Sequence, residues 1–83
     1  MSMSLQKKVV VFTTPTCSWC TRAKQYLNSK GIRYTEVDVT RNQRGAEDMI
    51  RRSGQRGVPV ILVGSQAVVG FDKPRLDNLL SIS

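Results

Sequence analysis

The chain has 83 residues, too few for two hydrophobic cores, so we predict a single domain over residues 1–83. Its composition, 40% hydrophobic and 23% charged, is typical of globular proteins. No apolar run is long enough to cross a bilayer and residues 1–8 lack the apolar stretch of an export signal, so we expect a soluble cytoplasmic protein with no membrane association. The formal charge of +7 favours acidic partners or ligands, but the basic residues are scattered and no aromatic platform for stacking bases is present, which argues against nucleic-acid binding.

Hydrophobic periodicity predicts seven elements in the order βαβαββα. They are a strand over 7–13, a helix over 18–30, a strand over 32–39, a helix over 40–53, strands over 58–63 and 66–69, and a helix over 72–82. Four consecutive β-branched or aromatic residues, 9–12, indicate that the first strand is covered on both faces. A strand, a helix and a strand in succession predict a right-handed βαβ unit with parallel strands.

The residue types within and between these segments support the assignment. One stripe of the first helix carries Cys20, Ala23 and Leu27, as expected of a face that packs on a sheet. Gly64-Ser65 supply the tight turn of a β-hairpin, and Asp72 can cap the third helix. The only two cysteines therefore lie where the first strand ends and the first helix begins.

A pair of cysteines at this position indicates redox chemistry. Cys17 and Cys20 are three positions apart, which places both thiols within disulfide reach on one helical turn but closes too small a loop to stabilise the fold. The unpaired N–H groups of a helix start favour the thiolate form of Cys17, so we predict that Cys17 is the attacking nucleophile. Cys20, carried on the apolar stripe, is predicted to resolve the mixed disulfide that forms on Cys17.

Two cysteines at this spacing are also typical of half a zinc site. A closed zinc site needs four ligands, and the chain has no histidine and no other cysteine. We therefore predict no metal site within one chain; only a metal or cluster shared between two chains is left as an alternative.

Three motifs together resemble the glutaredoxins and the glutaredoxin-like electron donors. They are Thr14-Pro15-Thr16-Cys17-Ser18-Trp19-Cys20, Gly57-Val58-Pro59 and Gly70-Phe71-Asp72. The resemblance covers nearly the whole chain and implies an α/β thioredoxin-like fold, with a four-stranded mixed sheet and three helices. It implies a monomeric thiol-disulfide oxidoreductase that reduces disulfide-containing or glutathionylated client proteins, with glutathione as its reductant and no tightly bound cofactor.

The resemblance also implies which residues contact the substrate. In the family the proline that matches Pro59 is cis, and the N–H and C=O of Val58 can then pair with a cysteinyl substrate like an added strand. The alternative is that Pro59 merely starts an edge strand. Trp19 is expected to be partly exposed, both offering the substrate a flat apolar surface and shielding the thiols.

Glutathione contacts are expected on two further segments. The acidic residue after the turn Gly70-Phe71 can bind the α-amino group of glutathione in this family, and Asp72 occupies that position while also suiting a helix cap. Arg41, Gln43 and Arg44, at the start of the second helix, could bind the glycine carboxylate or could simply form a solvated basic face. The sequence does not decide whether the start of the second helix binds the glycine carboxylate or is a solvated basic face.

Two positions depart from the family pattern. Ser18 replaces the proline that many members have after the first cysteine; in some relatives a small residue there permits two chains and two glutathiones to share an iron-sulfur cluster. Thr14 stands where many glutathione users have lysine. A second branch, whose members are reduced by thioredoxin reductase and deliver electrons to ribonucleotide reductase, is therefore an alternative, as is a non-enzymatic iron-sulfur cluster carrier.

Overall fold

The computed structural model describes residues 7–81, and within them the element order is the predicted βαβαββα. The strands are β1 (Val9–Thr13), β2 (Thr35–Asp38), β3 (Val60–Val63) and β4 (Gln66–Val69). The helices are α1 (Ser18–Ser29), α2 (Gln43–Ser53) and α3 (Lys73–Leu80). None of these helices is both long and apolar enough to cross a membrane.

The four strands form one mixed sheet in the order β2-β1-β3-β4. β1 pairs in parallel with β2, as the predicted βαβ unit requires, and antiparallel with β3; β3 and β4 form the predicted hairpin. β1 and β3 are thus the two inner strands, and every residue of β3 is buried. This position explains the continuous apolar runs in both segments, because an inner strand covered by helices has no solvent-facing side.

The core lies on both faces of the sheet. On one face, Val9 and Val11 of β1 pack with Leu27 of α1 and Leu76 of α3. On the other face, Phe12 packs with Met49 of α2. The sheet is therefore sandwiched between α1 with α3 on one side and α2 on the other, and the predicted stripe of α1, Cys20, Ala23 and Leu27, is fully buried.

The predicted second strand, 32–39, is longer than the observed β2. The backbone N–H of Ile32 donates to the carbonyl of Leu27 at 2.9 Å, and Gly31 lies between them at φ +70°. This hydrogen bond belongs to the C-terminal end of α1, so the chain is still completing the helix where alternation suggested a strand. Ile32 and Tyr34 pack against the core from this connecting segment, which accounts for their apolar character.

Side-chain caps mark the observed starts of α2 and α3. Asp38 accepts hydrogen bonds from the backbone N–H and hydroxyl of Thr40, and Asn42 caps α2 through the N–H of Gly45 at 2.8 Å. The helix consequently begins at residue 43 instead of the predicted 40. α3 is capped by Asp72 and ends at Leu80, because Ser81 adopts the left-handed conformation at φ +57°; the predicted last residue, Ile82, lies outside the described residues.

Gly45 allows α2 to approach β2 closely, and its replacement by alanine should destabilise the fold. A Cβ at this position would lie 2.5 Å from Cγ1 of Val37, a stiff β-branched side chain that packs against the core. We expect the free energy of unfolding of Gly45→Ala, measured by urea denaturation, to fall by about 1 to 3 kcal/mol. Gly57→Ala is the matched control, because no atom lies within 4 Å of the added Cβ; an equal loss in both variants would contradict the steric explanation.

Candidate active site

Cys17 is the N-terminal cap of α1, at the end of the turn that follows β1. Its Sγ accepts a hydrogen bond from the backbone N–H of Cys20 at 3.1 Å. Its thiol donates a long hydrogen bond of 3.9 Å to the carbonyl oxygen of Val58. The sulfur therefore lies at a helix start, where backbone N–H groups favour negative charge. It is also next to the backbone of Val58, which we predicted from the sequence as a substrate contact.

Cys20 lies one turn further along α1 and is 1% exposed. Burial is the main reason that its pKa is raised to about 11, and a hydrogen bond with the Cys17 thiol raises it further, while the backbone N–H of Thr14 acts in the opposite direction. Both cysteines are free thiols in this structure. At neutral pH Cys20 is consequently protonated, as we expect of a resolving thiol before the mixed disulfide has formed on Cys17.

A cleft of about 250 Å³ brings together five of the predicted substrate contacts, and one of them, Val58, is the residue whose carbonyl contacts the Cys17 thiol. These residues are Trp19, Val58, Pro59, Gly70 and Phe71. The Val58-Pro59 peptide bond is cis, as the resemblance implied. The N–H of Gly70, at φ +78°, donates to the carbonyl of Pro59 at 2.9 Å and so holds the turn after β4 against the start of β3.

Trp19 forms the exposed wall of this cleft. It is 55% exposed, which matches the expectation of a partly exposed ring. The guanidinium of Arg22, three residues further along α1, lies 5.1 Å from the centre of the ring. This cation–π contact limits the motion of an otherwise exposed indole and leaves its other face for a ligand.

The predicted glutathione contacts fall in two places. Asp72 is exposed, follows Phe71 of the cleft directly, and uses Oδ1 to accept from the N–H of Arg75 at 3.3 Å, so its capping role is present. Arg41 and Gln43 do not line the cleft. Arg41 lies 3.9 Å from Asp38, and Gln43 donates to Glu47 at 3.5 Å, as residues of a solvated polar face do.

Two side-chain networks beside the site were not predicted from the sequence. In the first, Lys24 of α1 and Thr13 of β1 both donate to Oε2 of Glu36, at 2.9 Å and 2.8 Å. In the second, Tyr26 donates to Asp77 of α3 and its ring lies 5.6 Å from that of Phe71. Apart from the charge of Lys24, which the sequence shows near the cysteines, no local pattern signals contacts between residues this far apart.

Across residues 7–81, no three side chains of His, Cys, Asp or Glu are grouped so that they could hold one metal ion. A shared cluster would thus need ligands from a second chain or from glutathione.

A pair of free thiols at the start of a helix, beside a cis-proline loop in a mixed βαβαββα sheet, is the arrangement of a thioredoxin-fold thiol oxidoreductase. The glutaredoxin family model matches residues 9–68. The chain is 40% identical to an uncharacterised glutaredoxin-like 8.6 kDa protein of the Clostridium pasteurianum rubredoxin operon, over 87% of this chain and 96% of that one. It is 41% identical to glutaredoxin 3 of Escherichia coli, over 77% of each chain.

Solved structures show the same fold. Glutaredoxin from Archaeoglobus fulgidus superposes with a TM-score of 0.80 at 23% identity, over 88% of this chain and 85% of that one. The glutaredoxin-like NrdH-redoxin from Escherichia coli superposes with a TM-score of 0.77 at 25% identity, over 87% of this chain and 93% of that one. The chain belongs to the glutaredoxin family.

Proposed function

We propose that the protein is a cytoplasmic, single-domain and monomeric dithiol oxidoreductase that reduces protein disulfides or glutathione mixed disulfides, with glutathione as its electron donor. The observation that carries this proposal is the position of the Cys17 sulfur. It lies at the N-terminus of α1 and 3.9 Å from the Val58 carbonyl oxygen, at the border of the cleft. A nucleophile, a backbone for aligning a cysteinyl substrate and an exposed apolar wall are thus adjacent.

The reaction uses only the sulfur atoms of the chain and of the reductant. The Cys17 thiolate attacks one sulfur of the substrate disulfide, forming a mixed disulfide and releasing the other sulfur as a thiolate. Cys20 can then attack the sulfur of Cys17, which forms the Cys17–Cys20 disulfide and releases the remaining substrate sulfur as a thiolate. Where the mixed disulfide joins Cys17 to glutathione, a second glutathione thiolate can instead attack the bound glutathione sulfur, which releases oxidised glutathione and regenerates the Cys17 thiolate. Where Cys20 resolves, two glutathione molecules reduce the resulting Cys17–Cys20 disulfide, so the chain needs no bound cofactor.

The surroundings of the cleft support glutathione as the ligand. The backbone of Val58 can align the cysteinyl part of the tripeptide, and Asp72 at the start of α3 can face its ammonium group while the helix N–H groups face its carboxylate. Arg41 and Gln43 would have to leave their present partners, Asp38 and Glu47, to bind the glycine carboxylate. Both partnerships are on the surface and weak, so they oppose such a rearrangement little.

Reduction by thioredoxin reductase, with ribonucleotide reductase as the client, is the second candidate. It is favoured by Thr14, which occupies the position of the lysine in many glutathione users. The similarity to NrdH-redoxin, a protein described as having a thioredoxin-like activity profile, points the same way.

A coupled assay separates the two electron sources. Consumption of NADPH is followed with a glutathionylated peptide as substrate, supplied either with glutathione and glutathione reductase or with thioredoxin reductase alone. Turnover only in the first mixture supports the proposal, and turnover only in the second replaces it by the second candidate. The Cys17→Ser variant is the control for background exchange in both mixtures.

Replacing Trp19 by alanine should weaken substrate binding without affecting stability. The ring lines the cleft and is half exposed, so its loss removes a ligand surface and little of the core. We expect KM for a glutathionylated peptide to rise by about three- to tenfold at unchanged kcat. Trp19→Tyr keeps an aromatic wall and should stay close to wild type; an equal KM for Trp19→Ala and wild type would show that the ring does not contact the substrate.

A further inference from the structure

The resolving thiol, Cys20, must ionise in a buried environment, which is electrostatically unfavourable. Cys20 has to lose its proton before it can attack the mixed disulfide, although it is 1% exposed. The charged side chain of Lys24 lies one turn further along α1, and residues four apart on a helix face the same side. The two groups interact electrostatically, in the direction that favours the thiolate of Cys20.

Lys24 is held by a network that joins three elements of the fold. Its Nζ lies 2.9 Å from Oε2 of Glu36 on β2, and the same oxygen accepts from the hydroxyl of Thr13 at 2.8 Å. Thr13 is 1% exposed and is the last residue of β1. A long, flexible lysine is thereby fixed beside the helix turn that carries the cysteines.

We propose that Lys24, positioned by Glu36 and Thr13, stabilises the thiolate of Cys20 in the step that resolves the Cys17 mixed disulfide. The inference rests on the dithiol mechanism proposed above but not on the choice of electron source. Lys24 acts through its charge, and Glu36 and Thr13 are positioning residues.

The chemistry of the intermediate makes this charge more important than it is in the resting protein. Besides burial, the main influences on the ionisation of Cys20 come from the thiol of Cys17, the backbone N–H of Thr14 and the charge of Lys24, whose partner Glu36 lies on β2. Once Cys17 is in a mixed disulfide it carries neither a proton nor a charge, so its unfavourable effects on the Cys20 thiolate disappear. Burial then opposes ionisation, and Thr14 and Lys24 favour it.

The pair with Glu36 keeps the lysine charged and in place. The hydrogen bond to Glu36 raises the pKa of Lys24, and the hydrogen bonds from Lys24 and then Thr13 lower the pKa of Glu36, so both partners are ionised at neutral pH. Their side chains are 28% and 40% exposed, and pairs this accessible to water contribute little to stability. Variants of Lys24 and Glu36 should therefore change the rate of the reaction while changing the stability of the fold little.

The step balances without an external oxidant or reductant. Cys20 releases its proton to water, its thiolate attacks Sγ of Cys17, and the bond between Cys17 and the substrate sulfur breaks. The substrate leaves as a thiolate, and the two cysteines are oxidised to their disulfide. A tenfold larger thiolate population gives only about a threefold faster attack, because nucleophilicity falls as the thiolate is stabilised.

The test uses a chromophoric disulfide, 5,5′-dithiobis(2-nitrobenzoate), mixed with the reduced full-length chain in a stopped-flow instrument. Attack by Cys17 releases one coloured thiolate in a phase that depends on reagent concentration. Attack by Cys20 releases the second in a phase that does not. Both steps are thus measured in one trace, with no glutathione and no reductase.

We expect Lys24→Met to slow the second phase at pH 7, by up to about threefold, and to move its pH–rate curve to higher pH. The first phase should change much less. Lys24→Arg keeps the charge and should restore the second phase. Glu36→Gln leaves the lysine charged but unanchored and should give a smaller loss than Lys24→Met. Urea denaturation of each variant checks that the fold is intact, and Lys24→Gln replaces Lys24→Met if the latter does not fold.

The proposal is overturned if Lys24→Met resolves as fast as wild type with the same pH profile, or if Lys24→Arg is as slow as Lys24→Met. Equal slowing of both phases would also overturn it, because a general effect on structure does not distinguish the two thiols. Failure of the proposed function would appear elsewhere, as a lack of turnover in both coupled assays while the two-phase release persists.

Discussion

Cys17→Ser should abolish the reduction of disulfides, whereas Cys20→Ser should keep the reduction of glutathione mixed disulfides. Serine at residue 17 can still cap α1, because its hydroxyl accepts from a helix N–H as the thiol of Cys17 does. The variant should therefore fold normally. It lacks a thiolate, so we expect its activity to fall by at least about a thousandfold, to the rate of uncatalysed exchange.

The two single variants separate the steps of the reaction. With Cys20 replaced, Cys17 can still take glutathione from a glutathionylated peptide, and a second glutathione can release it from Cys17. Reduction of an intramolecular protein disulfide, such as that of insulin, should be lost because nothing in the chain resolves the intermediate. Both activities are measured by NADPH consumption for the two variants and wild type. Activity retained in Cys17→Ser but lost in Cys20→Ser would reverse the assigned roles.

The order of elements could be predicted from the sequence because it depends on local patterns. The apolar runs of β1 and β3 reflect strands buried on both faces, and the stripe Cys20, Ala23 and Leu27 reflects one face of α1. The position of Cys17 at a helix start follows from the same periodicity. These features need no knowledge of which distant residues come together.

The ends of the elements could be predicted less well, because short-range hydrogen bonds compete with periodicity there. Asp38 and Asn42 each bind backbone N–H groups two or three residues ahead, which delays α2 by three residues relative to its apolar pattern. Ile32 completes the end of α1 although it alternates like a strand residue. The free-energy difference between such a hydrogen bond and one more residue of helix or strand is about 1 kcal/mol, which the residue pattern alone does not resolve.

The networks around the site could not be predicted because they join residues that are far apart in the chain. Glu36 meets Lys24 and Thr13 only because β2 pairs in parallel with β1 while α1 crosses over them. Tyr26 meets Asp77 only because α1 and α3 cover the same face of the sheet. The sequence supplies the charges, and the register of the sheet decides which of them pair.

The native protein should react with iodoacetamide at only one of its two thiols at pH 7, and that thiol should be Cys17. With a pKa of about 11, Cys20 is a thiolate in only about 1 molecule in 10⁴ at this pH, compared with a few per cent for a free cysteine. Burial also blocks the approach of the reagent, since Cys20 is 1% exposed. Mass spectrometry of peptides from the alkylated protein identifies the modified residue, and denaturation in urea before alkylation should give two modified thiols.

The pH dependence and one variant distinguish burial from the influence of the neighbouring thiol. Alkylation of Cys20 should become measurable only as the pH rises towards 11, because the thiolate fraction increases tenfold per pH unit below the pKa. Burial is the larger cause of this raised pKa, so Cys20 should stay slow in Cys17→Ser, which removes the thiol of Cys17 but leaves the core intact. Rapid alkylation of Cys20 in that variant at pH 7 would show that Cys17, and not burial, keeps the resolving thiol protonated.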